Sequence, residues 1–270
     1  MDVLQAFLLG ILQGITEFLP ISSSGHLVLA RELLEDPVMR GITFEVVVHF
    51  GTLCSILVYY APEIRRILGS LFGVVRRPAS FGKAYREDKN FKLVLFILWS
   101  MIPALIVGLL LEDAIESRMM NATSVGFMLI LTGALLLLTR WLSAENRRLG
   151  WGNTFAIGLA QAMAILPGIS RSGSTISAGL YLGIPRSRVA DFSFLMVIPV
   201  IAGAMLLKIV EMAETGIDIT ALWILIVGFL SAFVSGYYAL KYLIKVLQKG
   251  GLHWFALYCW ALGLVALVAI

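Results

Sequence analysis

The chain has 270 residues, of which 59% are hydrophobic and 14% charged, and its mean hydropathy is +0.91. Soluble domains are about 45–50% apolar and about 25% charged, so this composition excludes one and predicts an integral membrane protein forming a single domain over 1–270. The net charge of +4 and isoelectric point near 9.1 imply no nucleic-acid role, because basic residues in membrane proteins mostly mark cytoplasmic loops.

Residues 3–21 read as an apolar helix that Glu17 and Pro20 interrupt before it reaches the roughly 20 residues a span needs. Its start lacks the basic flank and cleavage site of a removable signal, so it is expected to belong to the mature fold. A second short segment, 27–34, is closed by the charged run 31–40. Two short helices meeting at Pro20 and Ser22 predict a re-entrant hairpin whose tip lines protein or a wet cavity.

Spans are expected at 42–60, 93–111 and 123–142. The basic loop 62–92 separates the first two, and Glu112, Asp113 and Glu116 lie in a short acidic loop after the second. Residues 155–167 and 175–183 repeat the short-helix pattern around Pro167 and Gly168, and spans at 192–208, 221–240 and 252–270 follow. The loop charges alternate, with Glu211, Glu214 and Asp218 outside and Lys241, Lys245 and Lys249 inside, which places both termini outside. Cys54 and Cys259 fall inside apolar segments and read as unpaired thiols. His253 beside Trp254 reads as an interfacial anchor, and the Asn121-Ala122-Thr123 sequon carries no weight at a span boundary.

Adding 148 to the numbering matches Gly10 to Gly158, Gln13 to Gln161, Ser22 to Ser170, Ser24 to Ser172 and Gly25 to Gly173. Each copy, about 1–145 and about 150–270, then holds one hairpin and three spans. An odd number of crossings inverts the second copy, so the expected architecture is all-α: six transmembrane helices plus two re-entrant hairpins in an inverted-topology repeat, tips facing near mid-depth.

The copies differ where chemistry is expected: Glu17 faces Ile165 in the alignment, Ser23 faces Arg171, and His26 faces Ser174. Gln13 and Glu17, four residues apart, share a helix face. Ser23 and His26, three apart, offer a nucleophile and a general acid or base. Arg171 opens a hydroxyl-rich helix whose free N–H groups favour an anion, and its guanidinium can grip two phosphate oxygens. These residues suit phosphoryl transfer, with Glu17, Ser23, His26 and Arg171 as catalytic candidates. Gln13, Ser22, Ser24, Ser170, Ser172 and Thr175 are candidates for substrate binding. The plainer readings are helix capping by Ser22 and Ser170, and a structural Glu17–Arg171 ion pair. Glu45 and His49 suit a site wall or an interfacial pair equally, and His49 is left outside the expected site.

The motifs QGITE at 13–17, PISSSGH at 20–26 and PGISRSGST at 167–175 resemble the undecaprenyl-diphosphate phosphatase family of the bacitracin-resistance type, over nearly the whole chain. That resemblance implies hydrolysis of a C55 isoprenoid diphosphate to its monophosphate at the outer face of the bacterial cytoplasmic membrane. The product is the lipid carrier of cell-wall synthesis, and bacitracin loses its target. It also implies essential roles for Glu17, His26 and Arg171, Ser23 as the favoured nucleophile, and a divalent cation, Mg or Ca, at a position left unknown. Gln13 stands where many members have Glu, so a base role there passes to Glu17. The expected partners are a polyprenyl diphosphate and membrane lipids, and a homodimer is left open. The type 2 phosphatidic acid phosphatases share SGH and SR segments but need a histidine where Ser177 stands. A lipid-phosphate transporter or flippase using the same inverted repeat is the rival function.

Overall fold

The computed structural model describes residues 2–34, 42–142, 146–215 and 222–269, and among them every regular element is a helix, without strands. Residues 35–40 of the charged run and Asp218 lie outside the described residues. Helix α1 (Val3–Phe18) starts at Asp2, whose carboxylate takes the Gln5 amide while the Gln5 side chain reciprocates. Its 16 residues reach about 24 Å at about 1.5 Å each, short of a hydrocarbon core about 30 Å thick. It stops ahead of Pro20, and α2 (Ser23–Leu34) resumes after a tight turn. The second half repeats this with α8 (Trp151–Met163), a break through Pro167, and α9 (Arg171–Tyr181).

Five long apolar segments have the length and composition to cross a membrane. They lie in α6 (Lys89–Met119), α7 (Ala122–Leu138), α10 (Arg186–Thr215), α11 (Leu222–Gln248) and α12 (Phe255–Val268), the last extended by a 3-10 turn at Gly251–Trp254. A sixth is reached by taking α3 (Ile42–Tyr59) with α4 (Ala61–Arg76), which bends away by 81°.

Two expectations are corrected. The basic loop at 62–92 is mostly α4, a 3-10 turn (Pro78–Ser80) and α5 (Phe81–Glu87). Proline in the first turn, the Glu63–Arg66 pair, and apolar residues at Ile64, Ile67, Leu68, Leu71, Phe72 and Val75 give α4 one apolar stripe among its arginines. The acidic residues Glu112, Asp113 and Glu116 lie within α6, which continues past the expected span end.

Small residues decide which helices touch, since lipid tails compete for any larger apolar contact. Helix α1 lies along α11, where a Cβ on Gly14 would sit 2.6 Å from the Ala232 carbonyl oxygen. In the other half α8 lies along α6, where a Cβ on Gly158 would sit 2.2 Å from the Ser100 carbonyl oxygen. Each short helix therefore packs on a long helix from the opposite half. Between them Phe18, Ile56, Ile157, Ile176, Phe192 and Leu240 close the core.

Candidate active site

The two breaks meet. A Cβ on Gly25 would lie 3.1 Å from the Gly168 Cα, and the Ser172 hydroxyl donates to the Leu19 carbonyl at 3.4 Å. Both following helices begin alike. Ser22 Oγ accepts from the Gly25 amide at 3.3 Å, and Ser170 Oγ from the Gly173 amide at 3.1 Å. Each serine also pairs with the hydroxyl two residues on, Ser22 with Ser24 and Ser170 with Ser172, at 3.3 Å in both cases. Capping is thus one thing Ser22 and Ser170 do. Thr175 anchors the second start, donating to the Arg171 carbonyl at 2.8 Å and sharing a 2.5 Å bond with Ser193.

At this junction the Glu17 side chain, 5% exposed, collects the polar groups. Its Oε2 accepts from Gln13 Nε2 at 3.0 Å and from Ser23 Oγ at 2.6 Å. Its Oε1 lies 3.6 Å from Arg171 Nη1, a buried nitrogen that makes no hydrogen bond. Arg171 thus keeps an unused donor beside the carboxylate, and an anion would satisfy it. The niche beside Glu17, Arg171, Ser172 and Ser193 measures about 20 Å³, room for about one water. That space is too small to enclose a phosphate group, and the Arg171 side chain beside it is 30% exposed.

Sequence reasoning left out His49, yet its Nε2 is 3.9 Å from Glu17 Oε2 while its Nδ1 is fixed on the Glu45 carbonyl at 2.8 Å. Glu45 itself pairs with Arg31. The i, i+4 spacing of Glu45 and His49 was visible, but the approach of α3 to α1 was not. Ser23 and His26, expected to work together, are not hydrogen-bonded to each other. Ser23 is bonded to Glu17, and His26 uses Nδ1 on the Ser22 carbonyl and Nε2 on the Tyr258 hydroxyl, each at 2.7 Å. Nothing in the spacing or neighbours of Tyr258 pointed to that role. The two cysteines are free thiols, and the His253 ring lies 5.0 Å from that of Trp254, centroid to centroid.

Among the described residues no three His, Cys, Asp or Glu side chains converge into a metal cage. One carboxylate and the buried, unpartnered Gln13 Oε1 do fit the way magnesium is held when substrate phosphates and water supply the other oxygens.

Fold and cluster together define a multi-pass helical membrane protein in which a buried carboxylate, a half-buried serine and a half-buried guanidinium gather where two helix breaks meet. The chain belongs to the family described as bacitracin resistance protein BacA, which it matches over residues 6–265. It is similar to the undecaprenyl-diphosphatase of Halothermothrix orenii, at 41% identity over 99% of this chain and 98% of that one. The undecaprenyl-diphosphatase of Bacteroides thetaiotaomicron is 42% identical over 99% of both chains. That of Methanobrevibacter smithii is 38% identical over 98% of this chain and 96% of its own.

Proposed function

We propose that the protein hydrolyses undecaprenyl diphosphate to undecaprenyl phosphate and inorganic phosphate, returning the lipid carrier to cell-wall synthesis and depriving bacitracin of its target. The observation that carries this reading is the Ser23–Glu17 hydrogen bond at 2.6 Å, with Arg171 Nη1 3.6 Å from the same carboxylate. Glu17 takes the Ser23 proton as Oγ attacks the terminal phosphorus, and the anhydride P–O bond breaks to release the lipid monophosphate. Glu17 passes that proton to the departing lipid monophosphate and is ionised again; it then takes a proton from a water that attacks the phosphorus, and returns it to Ser23 Oγ as the serine–phosphorus bond breaks and phosphate leaves. Arg171 and the unbonded amides at the start of α9 neutralise the phosphoryl oxygens. Glu17 and Gln13 would hold a divalent cation, which supplies charge neutralisation on the diphosphate.

Six crossings with two re-entrant pairs in an inverted repeat are supported by the crossed packing of α1 on α11 and α8 on α6, and by the matching helix starts at Ser22 and Ser170. The charge pattern supports termini and site facing outward from the bacterial cytoplasmic membrane. The test is phosphate release from purified protein given a long-chain isoprenoid diphosphate, comparing the unmodified chain with Glu17→Ala, Ser23→Ala and Arg171→Ala. Binding of the lipid without phosphate release under any divalent ion assigns the site to a carrier instead.

A further inference from the structure

Tyr258 stands 232 positions from His26, yet its ring lies parallel to the imidazole, with centroids 5.7 Å apart and an interplanar angle of 4°. His26 is buried, and its Nδ1 sits 2.7 Å from the Ser22 carbonyl oxygen. A carbonyl only accepts, so Nδ1 carries the proton. Nε2 then offers a lone pair, and the Tyr258 hydroxyl donates to it at 2.7 Å. With both nitrogens engaged, neither receives a proton from Ser23.

The carbonyl that His26 grips belongs to Ser22, whose φ of 69° is in the left-handed region. That region is unfavourable for a residue with a side chain, and such strain persists only where surroundings hold it. The next residue is Ser23, which the turn delivers to Glu17. The second half supplies an internal control. Ser170, the counterpart of Ser22, has φ −74°, and Ser174 stands in place of His26. Strained turn and imidazole thus occur together in one copy and are both missing from the other.

We infer that Tyr258 is a positioning residue that acts through His26: the Tyr258–His26–Ser22 chain of hydrogen bonds braces the left-handed turn that holds the Ser23 hydroxyl on Glu17. Its consequence for turnover rests on the function proposed above; the brace itself does not. Tyr258 is also 46% exposed and forms part of the wall of a groove of about 830 Å³ between α1, α11 and the start of α12. A role as mere groove wall is therefore the alternative to be separated.

The first measurement is ¹⁵N NMR of the intact, detergent-solubilised protein labelled at its three histidines, His26, His49 and His253, with His26 assigned by its loss in His26→Asn. Tyr258→Phe is expected to move the His26 ring nitrogens away from the Nδ1–H signature. On a polyprenyl diphosphate it should lower kcat about tenfold and leave KM within about twofold, as for a group acting only on the chemical step. In a His26→Ala background the same change should cost less than about twofold, and Ser22→Gly, which adopts the turn without a brace, should recover most of the loss. An unchanged His26 tautomer overturns the inference. So does an equal loss in both backgrounds, or a rise in KM at constant kcat, which would make Tyr258 a wall for the lipid. If the unmodified protein releases no phosphate, the proposed function fails while the NMR arm still judges the brace.

Discussion

Replacing Glu17 separates charge from shape at the centre of the site. At 3.6 Å from Arg171 the pair attracts by about 4–5 kcal/mol at an effective dielectric near 20. Desolvation of both groups offsets much of that, and Arg171 is 30% exposed, which screens it further. Glu17→Ala also leaves the Ser23 and Gln13 donors without their acceptor, about 1–3 kcal/mol each where buried. A net loss of about 2–4 kcal/mol in stability is expected for alanine. Glu17→Gln retains a carbonyl oxygen for Ser23 and is expected to lose about half as much. The two should nevertheless be equally inactive, because neither accepts the Ser23 proton, and lost general-base catalysis is worth about 10²–10⁴ in kcat. Thermal unfolding in detergent gives the stabilities, and released phosphate gives the rates. A glutamine variant within about fivefold of the unmodified rate would refute the base assignment, whatever its stability.

Arg171→Lys keeps the charge but not the two-oxygen grip, so KM for the diphosphate is expected to rise about tenfold in initial-rate assays. Removing divalent ions with a chelator should abolish phosphate release, and added magnesium should restore it. Undiminished turnover in chelator would remove the cation from the mechanism. Gly14→Ala should destabilise by about 1–3 kcal/mol in thermal unfolding because its methyl meets the Ala232 carbonyl at 2.6 Å. Gly69→Ala in α4, where a Cβ meets nothing within 4 Å, should instead be neutral or stabilising by up to about 1 kcal/mol. At the start of α6, burial raises the pKa of Asp88, but bonds from the Ser70 side chain and the Phe91 and Asn90 amides outweigh it and hold the group below its usual range. Its capping contribution is therefore fully present above the ordinary carboxylate pKa and lost as pH falls through the lower folded value. Hydrogen exchange at 89–92 should accelerate only in that acid window.

The interrupted helices were legible because Pro20 and Pro167 stand beside clusters of hydroxyls and charge, whereas Pro103 and Pro199 lie in unbroken apolar runs and α6 and α10 continue through them. The Gln13–Glu17 contact followed from helix periodicity alone. Arg171 was placed opposite Glu17 by the repeat, which relates positions that plain sequence order keeps 154 residues apart. What escaped was tertiary. His49 reaches Glu17 only because α3 packs near α1, and Tyr258 reaches His26 only because the last helix closes beside the first break. Helix α4 escaped for a different reason. Its apolar residues recur every three or four positions, but counting its arginines as loop charge hid that period.

The packing of α1 on α11 also constrains the order of assembly. The first short helix ends at Phe18 and its partner begins at Leu222, 204 residues later. A ribosome adding about 5–20 residues per second needs roughly 10–40 s to make that stretch. Until then α1 is too short to span alone and has no glycine-lined surface to settle against. The carboxylate at its end waits nearly as long for Arg171 to be synthesised. This early segment is thus among the last to dock, and the insertion machinery or neighbouring lipid must shelter Glu17 in the interval.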